Sequence, residues 1–379
     1  MLIVTLSVRK EFLMTIYIGL IGYILLLPLV FNLNKSDAVS KQKKIAFWGM
    51  FGVFLVLALK APTVGVDMEG YQKQYNLAKT VSWNDFEFVY FETGYILLEK
   101  IFSKLNVSFQ LFTAILYCFS SFSWYKLISK YSTDSCLSIL FVICYQFLAL
   151  SVSGLRQVVA MAICIFAFIL FDRFDVKGMI LGTILAVSAI FVHRSAYIFV
   201  VMVIAIILSR KPKKLTIINV GLLLGCAFLF RGVLWTFIDS TLKKVDVGSS
   251  VSLGGAFLFQ FIIFAFSFFT FFYYYKADCV SRMSFVSMNN IAYEDILALR
   301  LSLYSLVVYI LLSGGVLLRS SMYVMMFVVA LFPRMVAKYN CKSRMIINLV
   351  LIVVLIYIFY SQTLSINQFE ICPYKFFWE

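Results

Sequence analysis

Histidine occurs once in these 379 residues and proline five times. A single histidine excludes a histidine metal cluster. No two of the eight cysteines stand as a C-x-x-C pair, which excludes the zinc and dithiol motifs built on that spacing. The cysteines lie mostly in apolar runs and are expected to be small buried hydrophobes. Charge is scarce too: Asp, Glu, Lys and Arg make up 13% of the chain, against about a quarter in a soluble domain. With so little proline and only 18 glycines, the chain is neither collagen-like nor of a disordered composition. No internal repeat or low-complexity tract is visible, and no separate soluble domain is predicted.

What the chain has in abundance is apolar surface. Apolar residues make up 63% of it, aromatic residues 18%, and the mean hydropathy is +0.96. One water-soluble core could not hide that much, so the expected fold is all-α, a polytopic helical bundle in a membrane. Apolar runs broken at charge clusters give about twelve candidate spans, roughly 12–31, 45–61, 107–124, 136–152, 154–171, 178–192, 195–208, 216–235, 255–275, 297–317, 320–333 and 345–361. Three of these are short, so the count runs from ten to twelve. The first run follows Arg9 and Lys10 as a signal peptide would, but it is long and ends Val30-Phe31-Asn32 without a small-residue cleavage pattern, so it reads as a retained span.

The net charge of +15 would suggest nucleic acid in a soluble protein; here it orients spans, and no nucleic-acid partner is expected. Placing 32–44, 125–135, 172–177, 209–215, 276–296 and 334–344 in the cytoplasm gives those segments 18 Lys+Arg against 7 Asp+Glu. The outer segments, with Lys60 among them, then carry 14 against 11, and Arg300 lies within a span. Both termini fall outside. A large outer loop, 62–106, follows the second span, with smaller outer segments at 234–254 and 362–379. The whole chain forms one membrane domain. The large loop interleaves Asp67, Glu69, Asp85, Glu87, Glu92 and Glu99 with Tyr71, Tyr75, Trp83, Tyr90 and Tyr95. That composition suits either a solvated loop with an interfacial aromatic belt or a sugar site, where rings stack on pyranose faces and carboxylates bind hydroxyls.

Four arginines stand at outer ends of apolar runs, where the positive-inside tendency least expects them: Arg156, Arg194, Arg231 and Arg319. Each could snorkel to headgroups. Four together point instead to an anionic, lipid-linked ligand, since the guanidinium fork matches phosphate oxygens. His193, the lone histidine, could be a hydrogen-bonded structural residue or a general base near neutrality.

Taken in order, these residues resemble the EpsG/Wzy-type family of polysaccharide repeat-unit polymerases. Gly65-Val66-Asp67-Met68-Glu69-Gly70-Tyr71 is similar to the family's G-x-D-x-x-x-Y, with Val66 where threonine is commoner, and Phe91-Glu92-Thr93-Gly94-Tyr95 is similar to E-x-G-Y. Arg156-Gln157-Val158-Val159-Ala160 resembles R-Q-x-x-A at the head of a span, and Phe191-Val192-His193-Arg194-Ser195-Ala196 is close to F-x-H-x-S-A. Arg319-Ser320-Ser321-Met322-Tyr323 with Pro333 beyond it, and the tail Pro373-Tyr374-Lys375-Phe376-Phe377-Trp378, complete the likeness.

The resemblance implies polymerisation of undecaprenyl-pyrophosphate-linked oligosaccharide repeat units, of O-antigen type, at the outer face of the bacterial inner membrane. Membrane lipid surrounds the enzyme, and a chain-length regulator and a flippase are candidate partners. It implies no cofactor and no metal. Asp67, Glu92 and His193 are then the candidate catalytic residues. Arg156, Gln157, Arg194, Arg319, Tyr71, Tyr95 and Tyr323 would bind pyrophosphate and sugar. Rival expectations are a polyprenyl-phosphate-sugar-dependent glycosyltransferase, an O-antigen ligase and, from another class, a polysaccharide flippase. A flippase would commonly show two related halves.

Overall fold

A computed structural model of the chain describes residues 2–32, 37–82, 91–210, 223–227, 229–231, 255–274, 292–312 and 319–379. The expected segment 234–254 and most of the run 216–235 lie outside the described residues. Among the described residues the chain is helical, with no strand and a single isolated bridge between Lys60 and Phe376. Fourteen α-helices are labelled in chain order: α1 Leu2–Asn32, α2 Ala38–Ala58, α3 Met68–Thr80, α4 Thr93–Lys104, α5 Phe109–Tyr131, α6 Ser135–Cys144, α7 Phe147–Ser153, α8 Leu155–Phe171, α9 Val176–Val192, α10 Val200–Arg210, α11 Gly255–Tyr274, α12 Tyr293–Leu312, α13 Met322–Val336 and α14 Cys341–Ile358.

Their starts follow from short polar side chains that satisfy orphan N–H groups. Asp37 accepts from the Ser40 N–H, Ser108 from Leu111, Asp134 from Leu137 and Asp175 from Gly178. The run 136–152 is not one straight helix. Gln146 takes a left-handed conformation, φ 63°, which no helix can continue through, and α6 and α7 meet there at 50°.

Among the described residues six helices are long and apolar enough to cross a membrane, or seven if α6 and α7 form one broken span; three shorter apolar helices cover 155–171, 176–192 and 194–209. The protein is therefore a multi-pass membrane protein. Among the described residues the helices that qualify as spans by length and composition number six or seven, and the expected count of about twelve is not confirmed. The difference arises because α8 and α9, at 17 residues, reach about 25 Å, short of a hydrocarbon core about 30 Å thick.

The chain divides into two compact units, Met1–Tyr197 with Met345–Glu379, and Ile198–Arg344. In the first, α1, α2, α5, α6 and α8 bury a core around Ile24, Ile45, Phe112, Ile139, Phe141 and Phe168. At one end of α8, Asp172 accepts from Lys130 and Tyr131, both at 2.8 Å; Arg156 begins its other end. The expected outer segment 362–379 is no free strand of chain. After α14 it folds onto the end of α2 and the following turn: Ala61 N–H donates to the Lys375 carbonyl at 2.8 Å, Phe377 N–H to Leu59 at 2.9 Å, Gly65 N–H to Glu370 at 3.1 Å and Val66 N–H to Phe369 at 3.2 Å. Tyr374 and Tyr17 add hydroxyl bonds to the Val56 and Ile371 carbonyls.

In the second unit, Phe264 and Phe271 of α11 pack on Ile296, Leu299, Leu303 and Leu306 of α12. Asp295 at the start of α12 pairs with Arg334 at 3.3 Å and Lys338 at 2.5 Å, and Arg300 donates to the Ser209 hydroxyl of α10 at 3.4 Å. Arg231, expected at a surface, is buried and donates to the Ile310 carbonyl at 3.0 Å. The cysteines divide: Cys144 and Cys164 are buried as expected, whereas Cys118, Cys226 and Cys341 are exposed.

Candidate functional site

The site is assembled where four separated segments meet at one end of the first unit. The turn after α2 brings the first segment in. Gly65 sits at φ +110°, and a Cβ there would come within 2.6 Å of the Val152 carbonyl oxygen, so only glycine lets this turn lie against the end of α7. Two residues on, exposed Asp67 begins α3, and its carboxylate accepts from the Ser153 hydroxyl at 3.5 Å. One helical turn further, Tyr71 is buried and accepts from Arg156 Nε at 3.3 Å.

Glu92 stands at the head of α4. Its Oε2 accepts from Arg156 Nη1 at 2.5 Å, and its Oε1 accepts from the Arg194 backbone N–H at 3.1 Å. One carboxylate thus joins α4, the first turn of α8 and the residue just past α9. The approach is close enough that a Cβ on Gly94 would meet the Phe191 carbonyl oxygen at 2.8 Å. The guanidinium of Arg156 also lies 4.0 Å over the Phe91 ring, a cation–π contact. The pair is partly sheltered, with side-chain exposures of 22% for Arg156 and 13% for Glu92. Burial works to raise the Glu92 carboxyl, but the Arg194 N–H and the Arg156 charge outweigh it and hold the carboxyl below its ordinary range. Glu92 is therefore a fixed anion that orients Arg156.

His193 is half-buried beside this pair. The Ser195 N–H donates to its Nδ1 at 3.2 Å, with the Ser195 hydroxyl 2.9 Å from the same nitrogen. A ring nitrogen that accepts a backbone N–H carries no proton of its own, so the neutral ring carries its proton on Nε2. Nε2 is then a donor, suited to a phosphate or sugar oxygen. The Arg194 side chain is exposed next to it.

The structure thus brings Asp67, Tyr71, Glu92, Tyr95, Arg156, His193 and Arg194 into one neighbourhood. Gln157 is buried beside Arg156. Arg319 and buried Tyr323 belong to the second unit, at the start of α13. The stretch 62–106 differs from a solvated loop, because two amphipathic helices, α3 and α4, occupy much of it. Its tyrosines turn inward: Tyr71, Tyr75 and Tyr95 are at most 4% exposed and pack on Phe91, Phe109 and Phe112, so their ring faces are held by one another rather than offered to a sugar. Trp83 and Tyr90 lie outside the described residues.

Two charges that the sequence reading places among the outer charges are buried here. Lys60 is 2% exposed, donates to the Val64 carbonyl at 3.0 Å and lies 5.7 Å from the Tyr117 ring centroid. Glu99 of α4 is fully buried. The signal for Glu99 was spacing: Tyr95, Ile96, Glu99, Lys100 and Ser103 recur at helical intervals on one face, the face that α4 buries. Among the described residues no group of three or more His, Cys, Asp or Glu gathers as metal ligands do.

The family model described as EpsG family matches residues 44–376, a span that includes every motif above except the last two residues of the tail, Phe377 and Trp378. No curated protein and no solved structure matches the chain.

Proposed function

The chain belongs to the EpsG family, and we propose that this membrane protein of polysaccharide biosynthesis, from a glycosyltransferase-like polymerase family, joins lipid-linked oligosaccharide repeat units at the outer face of a bacterial inner membrane. The substrate is an oligosaccharide on undecaprenyl pyrophosphate. A hydroxyl of the incoming unit bonds to the anomeric carbon of the growing chain as the bond from that carbon to the pyrophosphate oxygen breaks. The hydroxyl proton passes to a base, and undecaprenyl pyrophosphate leaves with the bonding electrons.

The observation that carries this proposal is the Arg156–Glu92–Arg194 junction. It holds a guanidinium in a fixed direction, partly screened from water, where charge developing on a departing pyrophosphate would be stabilised. The exposed Arg194 side chain and His193 stand beside it. Of the three candidate catalytic groups, Glu92 is committed to its two donors and His193 presents a proton rather than a lone pair. Exposed Asp67 is the carboxylate left to take the hydroxyl proton.

Polymerisation by purified enzyme of synthetic undecaprenyl-pyrophosphate units tests these roles. Arg156→Ala should abolish long chains while the protein still inserts, and lysine should rescue poorly because a point charge does not replace the fork. Asp67→Asn should cost about 10²–10⁴-fold in turnover, the usual worth of a general base. His193→Gln, which keeps a donor, should retain far more activity than His193→Ala. Collapse of turnover in His193→Gln with Asp67→Asn near wild type would exchange the two roles. Normal ladders in Arg156→Ala would leave that side chain a mere headgroup contact.

A further inference from the structure

Glu99 is the buried charge for which the chemistry above has no use. It is 0% exposed, and neither carboxyl oxygen finds a hydrogen-bond partner among the described residues. The Tyr95 hydroxyl, one helical turn away on the same face of α4, is buried and without a partner in the same sense. A carboxyl kept only for packing would be paired or replaced by leucine, since an unsatisfied buried polar group is costly.

The groups around Glu99 are few. From its own helix come Tyr95 and Lys100, whose ammonium donates to the Ser82 carbonyl at 2.5 Å. Tyr75 of α3 and Arg156 of α8 act on it as well, while Tyr71 of α3 and Tyr117 of α5 lie beside Tyr95. His193 and the Arg194 N–H, beyond α9, are turned to Glu92. Geometry links Glu99 to Arg156: the ring of Tyr95, one turn from Glu99, packs on Tyr71 at 5.8 Å, and the Tyr71 hydroxyl accepts from Arg156 Nε, whose guanidinium already holds Glu92.

Resting on the role given to Arg156 above, we propose that Glu99 is a positioning residue that must carry its proton for Arg156 to hold the substrate's pyrophosphate, and that its ionisation switches the site off. Neutral, it leaves Arg156 one anionic neighbour and a positive face for the incoming anion. Ionised, it places a second carboxylate charge in the guanidinium's field and repels the pyrophosphate. Burial raises the carboxyl to about 8, with Arg156 pulling the other way, so the transition falls just above neutrality.

Two measurements test this. In the first, KM for the lipid-linked donor, followed across pH with wild-type enzyme, should rise about tenfold on passing through pH 8, an interaction worth about one pKa unit, with kcat little changed. Glu99→Gln, which resembles the protonated acid, should keep the low KM throughout. The same alkaline rise in Glu99→Gln would overturn the proposal. The second readout needs no activity: infrared difference spectra should show a protonated carboxyl C=O band titrating near pH 8. That band should vanish in Glu99→Gln and titrate still higher in Arg156→Gln, where the stabilising cation is gone. A band absent at neutral pH, or one unmoved by Arg156→Gln, would overturn it. Should no variant polymerise at any pH while the infrared titration behaves as stated, the polymerase assignment fails and the Glu99–Arg156 coupling stands.

Discussion

Replacing Gly94 by alanine adds one methyl group at a point where two helix ends nearly touch. The new carbon would lie 2.8 Å from the Phe191 carbonyl oxygen, 2.9 Å from its carbon and 3.1 Å from the Phe191 Cβ. Two of these atoms are backbone, so rotating a side chain cannot make room. Restoring ordinary contact, about 3.5 Å, requires the start of α4 and the end of α9 to part by roughly half an ångström or more. Overpacking of this kind costs about 1–3 kcal/mol. The displacement falls on Glu92, two residues earlier, whose carboxylate spans the Arg194 N–H and Arg156. Since a 1 Å misplacement can cost about 10²-fold in rate, a loss of tenfold or more is expected.

Gly70→Ala is the matched control. It lies exposed on α3 with nothing within 4 Å of a Cβ, and alanine there should be neutral or stabilise the helix by up to about 1 kcal/mol. Thermal unfolding of detergent-purified protein and the length distribution of polymer made in cells would be compared for the two variants. Equal melting temperatures and equal ladders would refute the packing argument and, with it, the dependence of the Arg156 site on this contact.

Glu92, held below its ordinary range, binds its proton more weakly when folded. Its contribution to stability should therefore be fully present above the unfolded carboxyl value and be lost as pH falls through the lower folded value. A flatter acid limb of thermal stability in Glu92→Gln checks this, and an unchanged limb contradicts it. Deleting residues 369–379 removes the hydrogen-bond partners of the Leu59–Val66 segment, so polymer should disappear and proteolysis within 59–67 should rise even if the spans insert; a protected, active truncation would count against the docked tail. The proposed orientation predicts that, in a cysteine-free background, cysteine at position 70 but not at position 342 reacts with an impermeant thiol reagent on whole spheroplasts; the reverse pattern would invert it. Both positions are exposed.

The parts of the fold legible in the sequence were those set by local chemistry. The apolar runs 107–124, 154–171, 178–192 and 255–275, marked off by charge clusters, do fold into helices, α5, α8, α9 and α11. The break at Gln146 carried no such mark, because the left-handed turn there falls on a residue with no special liking for it. The grouping of Asp67, Glu92, Arg156 and His193 followed from motif order and from their shared expected side. Their pairings did not, since the bond from Glu92 to the Arg194 N–H joins residues 102 apart through a backbone group. Charge counting misled at Lys60 and Glu99, where a count of exposed loop charges included two side chains that the fold encloses. Aromatic composition left the setting of Tyr71 and Tyr95 open: it reveals how many rings there are, and packing decides which way they face.

The strapping of the tail across the end of α2 also sets a timetable for the molecule. The turn bearing Gly65 and Asp67 leaves the ribosome early, yet hydrogen-bond acceptors for the Gly65 and Val66 N–H groups are residues 369 and 370, about 300 residues later. At about 5–20 residues per second, that separation is a delay of roughly 15–60 s, during which the early helices have entered the membrane without their closing strap. A nascent chain can therefore hold most of its spans and still lack a finished site, so that the turn bearing Gly65 and Asp67 is closed only once residues 369 and 370 have been made.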